Sequence, residues 1–498
     1  MTQTHIHAPV GEIQFLLNGE RVVARGIAPT CTLLTYLRQH RYLTGTKEGC
    51  AEGDCGACTI VVAELHNGQV VFKTINSCIQ FLPALDGKAV FTVEGVRKAN
   101  GELHPAQQAM VSCHGSQCGF CTPGFIMSLW DLYNEHLAEG AAHLTTAAIK
   151  SKLTGNLCRC TGYRPIIEAA HAMFDLPRVE LDRDALRKQL LALQRHEALS
   201  VSRDGESFHA PKTLAELLTL RAATPGATVL AGGTDVGLWV TKQLRQINDL
   251  LFLGEVAELQ GVTERGDWLE IGAGVSLSEA YAACARHYPQ LGEQWERFAS
   301  VPIRNVGTLG GNVANGSPIG DSMPWMIALG ARVVLASVRG QRELPLEELY
   351  LAYQKMDLAA DEVLVLMRVP HPARGHQFRT YKLAKRFDSD ISAVCAAFDI
   401  KTESDIVSQV RIAFGGMAAT PKRARATEVA IYGKPWNENT VRSAMQALGA
   451  DYTPITDMRA SAAYRLLGAQ NLLYRFYLET RASKPMPAHA TSVFVTAA

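Results

Sequence analysis

The chain has 498 residues, 47% of them hydrophobic and 19% charged, with a formal net charge of +1. That composition builds about three or four globular domains, and its balanced charge argues against nucleic acid or an anionic membrane surface as a partner. No apolar run is long enough to span a bilayer. Met1 to Pro9 is polar and lacks the hydrophobic run of a secretory signal, so a cytoplasmic location is expected. Twelve cysteines are present. In a reducing compartment, clustered cysteines read as metal ligands rather than disulfides.

Residues 11–24 read as a β-hairpin, with Ile13, Phe15 and Leu17 alternating ahead of an Asn18-Gly19 turn. Thr32 to Arg38 predicts a short helix. In the stretch Lys47 to Thr59, Cys50, Cys55 and Cys58 stand at C-x4-C-x2-C, and Cys78 follows after nineteen intervening residues. This is the plant-type [2Fe–2S] spacing. Thiolates are soft ligands that suit an iron–sulfur cluster or zinc. Gly49, Gly53 and Gly56 let the backbone wrap closely, so that N–H groups can point at sulfur. A zinc knot or plain buried cysteines are the competing readings; zinc sites usually pair two short hooks, and one is present here. Thr59–Ala63 and Val70–Thr74 read as strands around His66-Asn67-Gly68, and Ala89–Val93 as another. Residues 9–95 thus predict a β-grasp, ferredoxin-like domain.

Residues 96–176 are helical in pattern, with helices over Pro105 to Val111, Phe125 to His136, Leu144 to Leu153 and Ile166 to Phe174. Between them stand Cys118 and Cys121 as C-x2-C, and Cys158 and Cys160 as C-x-C. Four thiols on the loops of a helical bundle make a closed site, and spacing alone allows zinc or [2Fe–2S] there. Cys31, Cys113, Cys284 and Cys395 remain, and read as small core hydrophobes. Residues 177–204 are charged and read as a linker carrying one solvated helix, Arg183–Leu193.

Phe208 opens the next domain, 205–375. Thr213 and Glu216 form a capping-box pattern, as do Ser276 and Glu279. The run Thr228, Val229, Leu230, Ala231, Gly232, Gly233, Thr234, Asp235 is a strand entering a glycine-rich turn, a source of bare N–H groups for phosphate oxygens. It is not G-x-G-x-x-G, so a Rossmann reading is unwarranted, and a plain tight turn competes. Val301 to Asp321 is a second glycine-rich segment whose small and hydroxyl residues would admit a flat, phosphate-bearing ligand. Residues 376–485 form a further α/β subdomain, in which Asp457 reads as the N-cap of a helix from Met458 to Glu479 and the nearby arginines as surface or interface charges rather than catalytic ones. Residues 486–498 read as a loose tail.

The strings Gly-Cys-x4-Cys-Gly-x-Cys, Gln-Cys-Gly-Phe-Cys-Thr-Pro-Gly and Gly-Asn-Leu-Cys-Arg-Cys-Thr-Gly-Tyr-Arg-Pro resemble the paired [2Fe–2S] domains of the molybdenum hydroxylase (xanthine oxidase) family. The resemblance implies one cluster on Cys50, Cys55, Cys58 and Cys78, nearer a flavin. It implies a second on Cys118, Cys121, Cys158 and Cys160, nearer a molybdopterin, with Gln117 close to the pterin. The two glycine-rich segments resemble the family's flavin domain, of the vanillyl-alcohol-oxidase type. That implies residues 228–235 on the FAD pyrophosphate and Phe298 on the isoalloxazine ring. Thr308, Leu309, Gly310, Gly311, Asn312 and Asn315 would continue the cradle, Asp321 would contact the ribityl chain, and Ile391 would lie beside the ring. Tyr381-Lys382 would lie near the nicotinamide entry.

The fold expectation is therefore an α+β multidomain chain: a β-grasp [2Fe–2S] domain, a four-helix [2Fe–2S] domain, an FAD domain and an α/β flavoprotein subdomain. The resemblance further implies an electron-transfer subunit, with no molybdenum site of its own. A large molybdopterin-binding partner would complete an α2β2 assembly, and NAD⁺ would be the acceptor. Purine, aldehyde and N-heterocycle oxidation all remain open, because substrate choice lies in the partner. A zinc-stabilised binding module without redox function is the reading from another class.

Overall fold

The structure is a computed structural model that describes residues 11–98, 100–140 and 144–492. The expectations for Met1 to Pro9 and for the end of the tail, 493–498, lie outside the described residues. Among the described residues no helix is long and apolar enough to cross a membrane. The chain divides into two compact units. One comprises the described residues up to Ala257 together with Ser300–Gly307, and the other comprises Glu258–Ala299 and Thr308 onward.

In the first unit, β1 (Ile13–Leu17) and β2 (Glu20–Ala24) form the expected hairpin, with Asn18 and Gly19 both at positive φ. They join β3 (Thr59–His66), β4 (Gln69–Asn76) and β5 (Ala89–Phe91) in a five-stranded sheet of order β2-β1-β5-β3-β4. Strand β5 runs parallel to β1; the other pairs are antiparallel. The run Ile60-Val61-Val62-Ala63 is apolar at every position because the sheet is covered on both faces. Ile60 and Val62 meet Phe15, Leu33 and Leu37 on one side. Val61 and Ala63 meet Phe91, Met127 and Trp130 on the other.

The helical half has helices at Pro105–Ser112, Thr122–Glu139, Thr146–Lys152 and Arg164–Ala172, as the pattern predicts to within a few residues. The stretch 177–204 differs from a plain linker. Its helix Arg183–Leu193 buries Leu186, Leu190 and Leu193 in the same core as Trp130, because leucines three and four apart share a helix face. Arg195 then pairs with Asp86 at 2.9 Å. Strands β6 (Leu199–Arg203), β7 (Glu206–Ala210), β8 (Thr228–Leu230) and β9 (Asp249–Phe252) form a second sheet of order β6-β7-β9-β8, and Phe208, Leu230 and Leu250 extend the core around Phe15.

The second unit holds the antiparallel strands β10 (Val262–Arg265), β11 (Trp268–Gly272), β12 (Arg332–Ser337), β13 (Gly340–Pro345) and β16 (Val363–Pro370), in order β10-β11-β16-β12-β13. The short pair β14 (Tyr350–Ala352) and β15 (Lys355–Met356) intervenes. Helix Ser322–Leu329, apolar on every side, lies in the core of this layer. Strands β17 (His376–Leu383), β18 (Val394–Glu403), β19 (Ile406–Gly415) and β20 (Lys422–Arg423) form the last sheet. It packs on helices Glu438–Asp451 and Ala462–Thr480.

Two expectations fail in this last layer. The long helix starts at Ala462 and its N-cap is Ser461, whose hydroxyl accepts from the Tyr464 N–H. Asp457 instead closes a tight turn, accepting from the N–H groups of Arg459 and Ala460 at 2.8 and 3.1 Å. It also accepts from Arg465 at 2.7 Å. Arg465 is not a surface charge: it is buried, and its guanidinium also donates to the carbonyls of Ala393 and Gly416. Arg465→Leu strands the two carbonyl acceptors and removes a partner of the half-buried Asp457, and is expected to destabilise the second unit by about 1–3 kcal/mol, read as a fall in its melting temperature.

His104 caps helix Pro105–Ser112 with its ring, Nδ1 accepting from the Ala106 N–H at 3.1 Å, and meets Tyr133 edge-on. Burial, with a smaller push from Lys98, lowers its pKa from 6.5 to about 4. The unfolded chain therefore binds the proton more readily than the folded one. The stabilisation is complete above pH 6.5 and is lost as pH falls toward 4, at a cost of at most about 3 kcal/mol. His104→Asn keeps a capping side chain and removes the titration. Melting curves at neutral and mildly acidic pH are expected to converge in the variant more than in the parent.

Candidate functional site

Register brings the first thiol quartet together. Cys58 precedes β3 and Cys78 follows β4, and the pairing of Thr59 with Asn76 sets the two ends side by side. Their sulfurs lie 3.3 Å apart, and both residues are buried. Cys50 Sγ accepts from the Cys55 N–H at 3.4 Å, and Cys58 Sγ accepts from the Asn76 amide at 3.7 Å. The loop takes left-handed backbone at Ala51, Gly53 and Gly56. A Cβ on Gly49 would stand 2.7 Å from Cys55 Sγ, and one on Gly53 would strike Ile79 at 2.7 Å. Hydrogen bonds from the Cys55 and Cys78 thiols hold Cys50 well below the usual thiol range, and a hydrogen bond from Cys78 lowers Cys58. The same hydrogen bonds, with burial, push Cys55 and Cys78 up, so two of the four thiols lean toward thiolate, the ligand form, and two hold their protons.

The second quartet lies at the helix ends. Cys121 is the N-cap of helix Thr122–Glu139, and Cys158 and Cys160 precede helix Arg164–Ala172. Hydrogen bonds from the Phe120 N–H and then from Cys160 lower Cys118. Burial, followed by a hydrogen bond with Cys158, pushes Cys121 up to about 12. The Thr161 hydroxyl lies 3.1 Å from Cys158 Sγ, and Tyr163 Oη, on a left-handed residue, accepts from the Cys158 N–H at 3.1 Å. Cys118 and Cys160 are exposed, so this quartet opens to the surface while the first is enclosed. Gln117 is exposed beside it. Among the described residues no three such ligands gather round a single-ion point; in the first quartet Cys55, Cys50, Cys78 and Cys58 follow one another in thiol contact. A two-iron cluster asks for two thiolates per iron, and both quartets fit that donor set.

Three other segments of the first unit close on the first ligand loop. Thr241 Oγ1 donates to the Ala51 carbonyl at 2.7 Å, and Lys242 Nζ to the Cys50 carbonyl at 2.9 Å. Ile303, from helix Val301–Val306, packs on Cys58, Cys78 and Ile79. Residues 155–157 form the third side. Part of the segment read as flavin cradle therefore folds onto the cluster loop. The sequence carries no sign of this, since 231 residues separate Asn305 from its acceptor Thr74.

The predicted flavin residues fall in both units. In the first, Thr228, Val229 and Leu230 form β8, and Ala231 to Asp235 turn into helix Val236–Thr241. Gly233 has φ +72°, and a Cβ on Gly232 would lie 1.8 Å from the Val306 carbonyl. Among the described residues, the N–H groups of Gly232, Gly233 and Thr234 have no acceptor, which fits a phosphate-binding turn.

In the second unit, Thr308 caps helix Leu309–Asn315 by accepting from the Gly311 N–H. Gly310 is required by packing, because its Cβ would meet Ala273 at 2.5 Å. Asn312 Oδ1 is buried without a partner, and Asn315 is exposed at the helix end. Phe298 is half-buried and stacks on Tyr281, ring centroids 5.7 Å apart. Asp321 is buried and accepts from Lys382 Nζ at 2.6 Å and from Ser392 Oγ at 2.5 Å. Lys382 Nζ also lies 6.0 Å from the centre of the Phe298 ring. Ile391 is exposed in the loop before β18. The Lys382–Asp321 pair spans 61 residues, and no local pattern announces it.

Comparison with known proteins agrees with this arrangement. Residues 92–171 match a "[2Fe-2S] binding domain", residues 202–372 an "FAD binding domain in molybdopterin dehydrogenase", and residues 379–480 a "CO dehydrogenase flavoprotein C-terminal domain". The chain belongs to the molybdenum hydroxylase family. It is an FAD- and [2Fe–2S]-type electron-transfer component of that family. Xanthine dehydrogenase of Emericella nidulans is 32% identical over 93% of this chain and 38% of its own length. Aldehyde oxidase 2 of Macaca fascicularis is 30% identical over 94% of this chain and 39% of its own length. The chain thus spans about two fifths of these relatives. A chain of carbon monoxide dehydrogenase from Hydrogenophaga pseudoflava, a form lacking the Mo-pyranopterin moiety of its cofactor, is 30% identical. It covers 55% of this chain and 96% of its own, with a TM-score of 0.52. The expected α+β architecture is the observed one.

If the enclosed quartet holds a cluster, Cys58→Ser is expected to cost that cluster alone. Iron per chain should drop to that of one cluster, with the flavin spectrum retained.

Proposed function

We propose that this chain is the electron-transfer part of a xanthine dehydrogenase. In this reading, hypoxanthine and xanthine are oxidised to urate at a molybdopterin on a partner subunit. Their electrons cross the exposed quartet, the enclosed quartet and FAD before reaching NAD⁺. What supports it is the run of modules in a single chain, two thiol quartets and then a flavin domain, alignable with xanthine dehydrogenase over 93% of its length. When bound, the clusters supply one-electron transfer, and the flavin exchanges one electron or two, as a hydride acceptor requires.

The chain's own residues have definite tasks in this scheme. Cys118, Cys121, Cys158 and Cys160 hold the second cluster at the surface, within reach of a docked partner. Cys50, Cys55, Cys58 and Cys78 hold the first, kept from solvent by Ile303 and Ile79. Residues 228–235 serve the FAD pyrophosphate, with the free amides of Gly232, Gly233 and Thr234 as its donors, while Thr308 to Asn312, Asn315, Phe298, Asp321 and Ile391 serve the rest of the flavin. No residue of this chain is assigned to the oxidation of the purine itself.

A second reading keeps every cofactor and changes the substrate, since an aldehyde oxidase aligns over 94% of the chain at 30% identity. The assembly as purified, assayed with hypoxanthine, xanthine, an aldehyde and NAD⁺, separates the two. NAD⁺ reduction is expected with the purines; reduction with the aldehyde alone overturns the proposal. A colourless protein holding zinc in place of iron would remove both readings.

A further inference from the structure

The two thiol quartets are joined backbone to backbone. The Leu157 N–H, next to ligand Cys158, donates to the carbonyl of ligand Cys55 at 3.0 Å. Only this hydrogen bond interrupts a covalent path from Cys158 Sγ to Cys55 Sγ. Two glycines, Gly56 and Gly124, make the approach possible. A Cβ on Gly56 would lie 2.0 Å from the Gly155 carbonyl, and one on Gly124 would lie 2.1 Å from the Gly56 carbonyl. No real Cβ tolerates such distances, so these loops touch without a side chain between them.

One polar side chain holds them in this position. Asn156 is buried. Its amide nitrogen donates to the Gly56 carbonyl and to Thr59 Oγ1, both at 3.2 Å, and its carbonyl oxygen accepts from Ser128 Oγ at 2.7 Å. It therefore ties the first ligand loop, β3 and helix Thr122–Glu139 to the residue before Leu157. A buried amide that spends both ends on neighbouring segments fixes their separation more tightly than apolar packing does.

We propose that Asn156 is a positioning residue for electron exchange between the two clusters, with Leu157 N–H···O=C Cys55 as the route it holds. The inference rests on both quartets carrying [2Fe–2S] clusters. In each exchange one electron leaves the reduced cluster and enters the oxidised one, and no atom or proton is transferred. The effect of Asn156 is on geometry: without it the Gly56 carbonyl keeps its two donors from Thr59 but loses the one that ties it to the Leu157 segment, and the Leu157–Cys55 contact loosens.

The test uses the holoprotein with Asn156→Ala and with the milder Ser128→Ala, which removes only the donor that orients the Asn156 amide. Iron content and the two cluster signals in electron paramagnetic resonance are recorded first. Wild-type protein without iron or cluster signals would defeat the cluster reading itself, separately from the role of Asn156. Next, the magnetic splitting between the two reduced clusters is measured, followed by electron redistribution after flash photoreduction of the flavin. The expected result for Asn156→Ala is full cluster content, a changed splitting and a several-fold slower arrival of the electron at the second cluster, with flavin-to-first-cluster transfer unchanged. Ser128→Ala should show the same change, smaller. Unchanged splitting and unchanged exchange with both clusters intact would overturn the proposal. Should Asn156→Ala fail to assemble its clusters, Ser128→Ala decides: a wild-type exchange rate there overturns it as well.

Discussion

The pairing of β3 with β4 is the constraint on which the rest of the first unit depends. Their register, closed by the Asn67-Gly68 turn, carries Cys58 and Cys78 from opposite ends of a hairpin to a sulfur separation of 3.3 Å. A one-residue slip would turn every side chain of a strand to the other face. Here that would exchange Ile60 and Val62 with Val61 and Ala63. Both pairs are already committed to different cores, so neither core would accept the slip without overpacking or voids. The same apolar packing that stabilises the sheet therefore fixes the geometry of the two thiols. The thiol site needs no separate scaffold, only a loop that can close over it.

That loop closes at the expense of side chains. Gly49, Gly53 and Gly56 are each required for a different reason: room for a sulfur, left-handed backbone beside Ile79, and contact with another backbone. The third reason links folding to function. Where two loops meet through their peptide groups, their separation is set by hydrogen bonds and van der Waals contact, which hardly vary from one molecule to the next. A side-chain contact would add rotamers to that distance. The enclosed quartet and the exposed quartet are thus held at one spacing, although they belong to modules of different secondary structure.

Much of this was legible in the sequence, for physical reasons that differ by element. The thiol quartets, the Asn18-Gly19 and Asn67-Gly68 turns and the capping box at Thr213 rest on local geometry, which a short window contains whole. The four helices around the second quartet follow from periodicity in the same way. What escaped was non-local. Helix Arg183–Leu193 reads as solvated because its charges are dense, yet its three leucines meet a core assembled from residues far away in sequence. Asp457 looks like an N-cap and is instead occupied by Arg465, eight residues on, while Ser461 takes the capping role. The placement of Ser300–Gly307 with the iron–sulfur unit has no local signature at all.

The buried pair Lys382–Asp321 carries the argument into the second unit. Two charges taken out of water are costly, and such a pair is often no better for stability than well-packed apolar residues. Here every remaining polar atom is answered. Ser392 supplies the second hydrogen bond to Asp321, and the Asp390 carbonyl accepts a second one from Lys382. Gln294 binds the Asp321 backbone carbonyl. The pair thus joins strand β17, the loop before β18, helix Gly292–Arg297 and the start of helix Ser322–Leu329, segments that Ala393 N–H on the Leu383 carbonyl and Arg297 on the Lys382 carbonyl also tie. Apolar replacements would fill the same space but would let these segments slide, whereas a charge buried with a single satisfying geometry does not. What the network contributes is therefore position rather than stability: it fixes the loop of Ile391 and the ammonium group over Phe298 as one rigid arrangement.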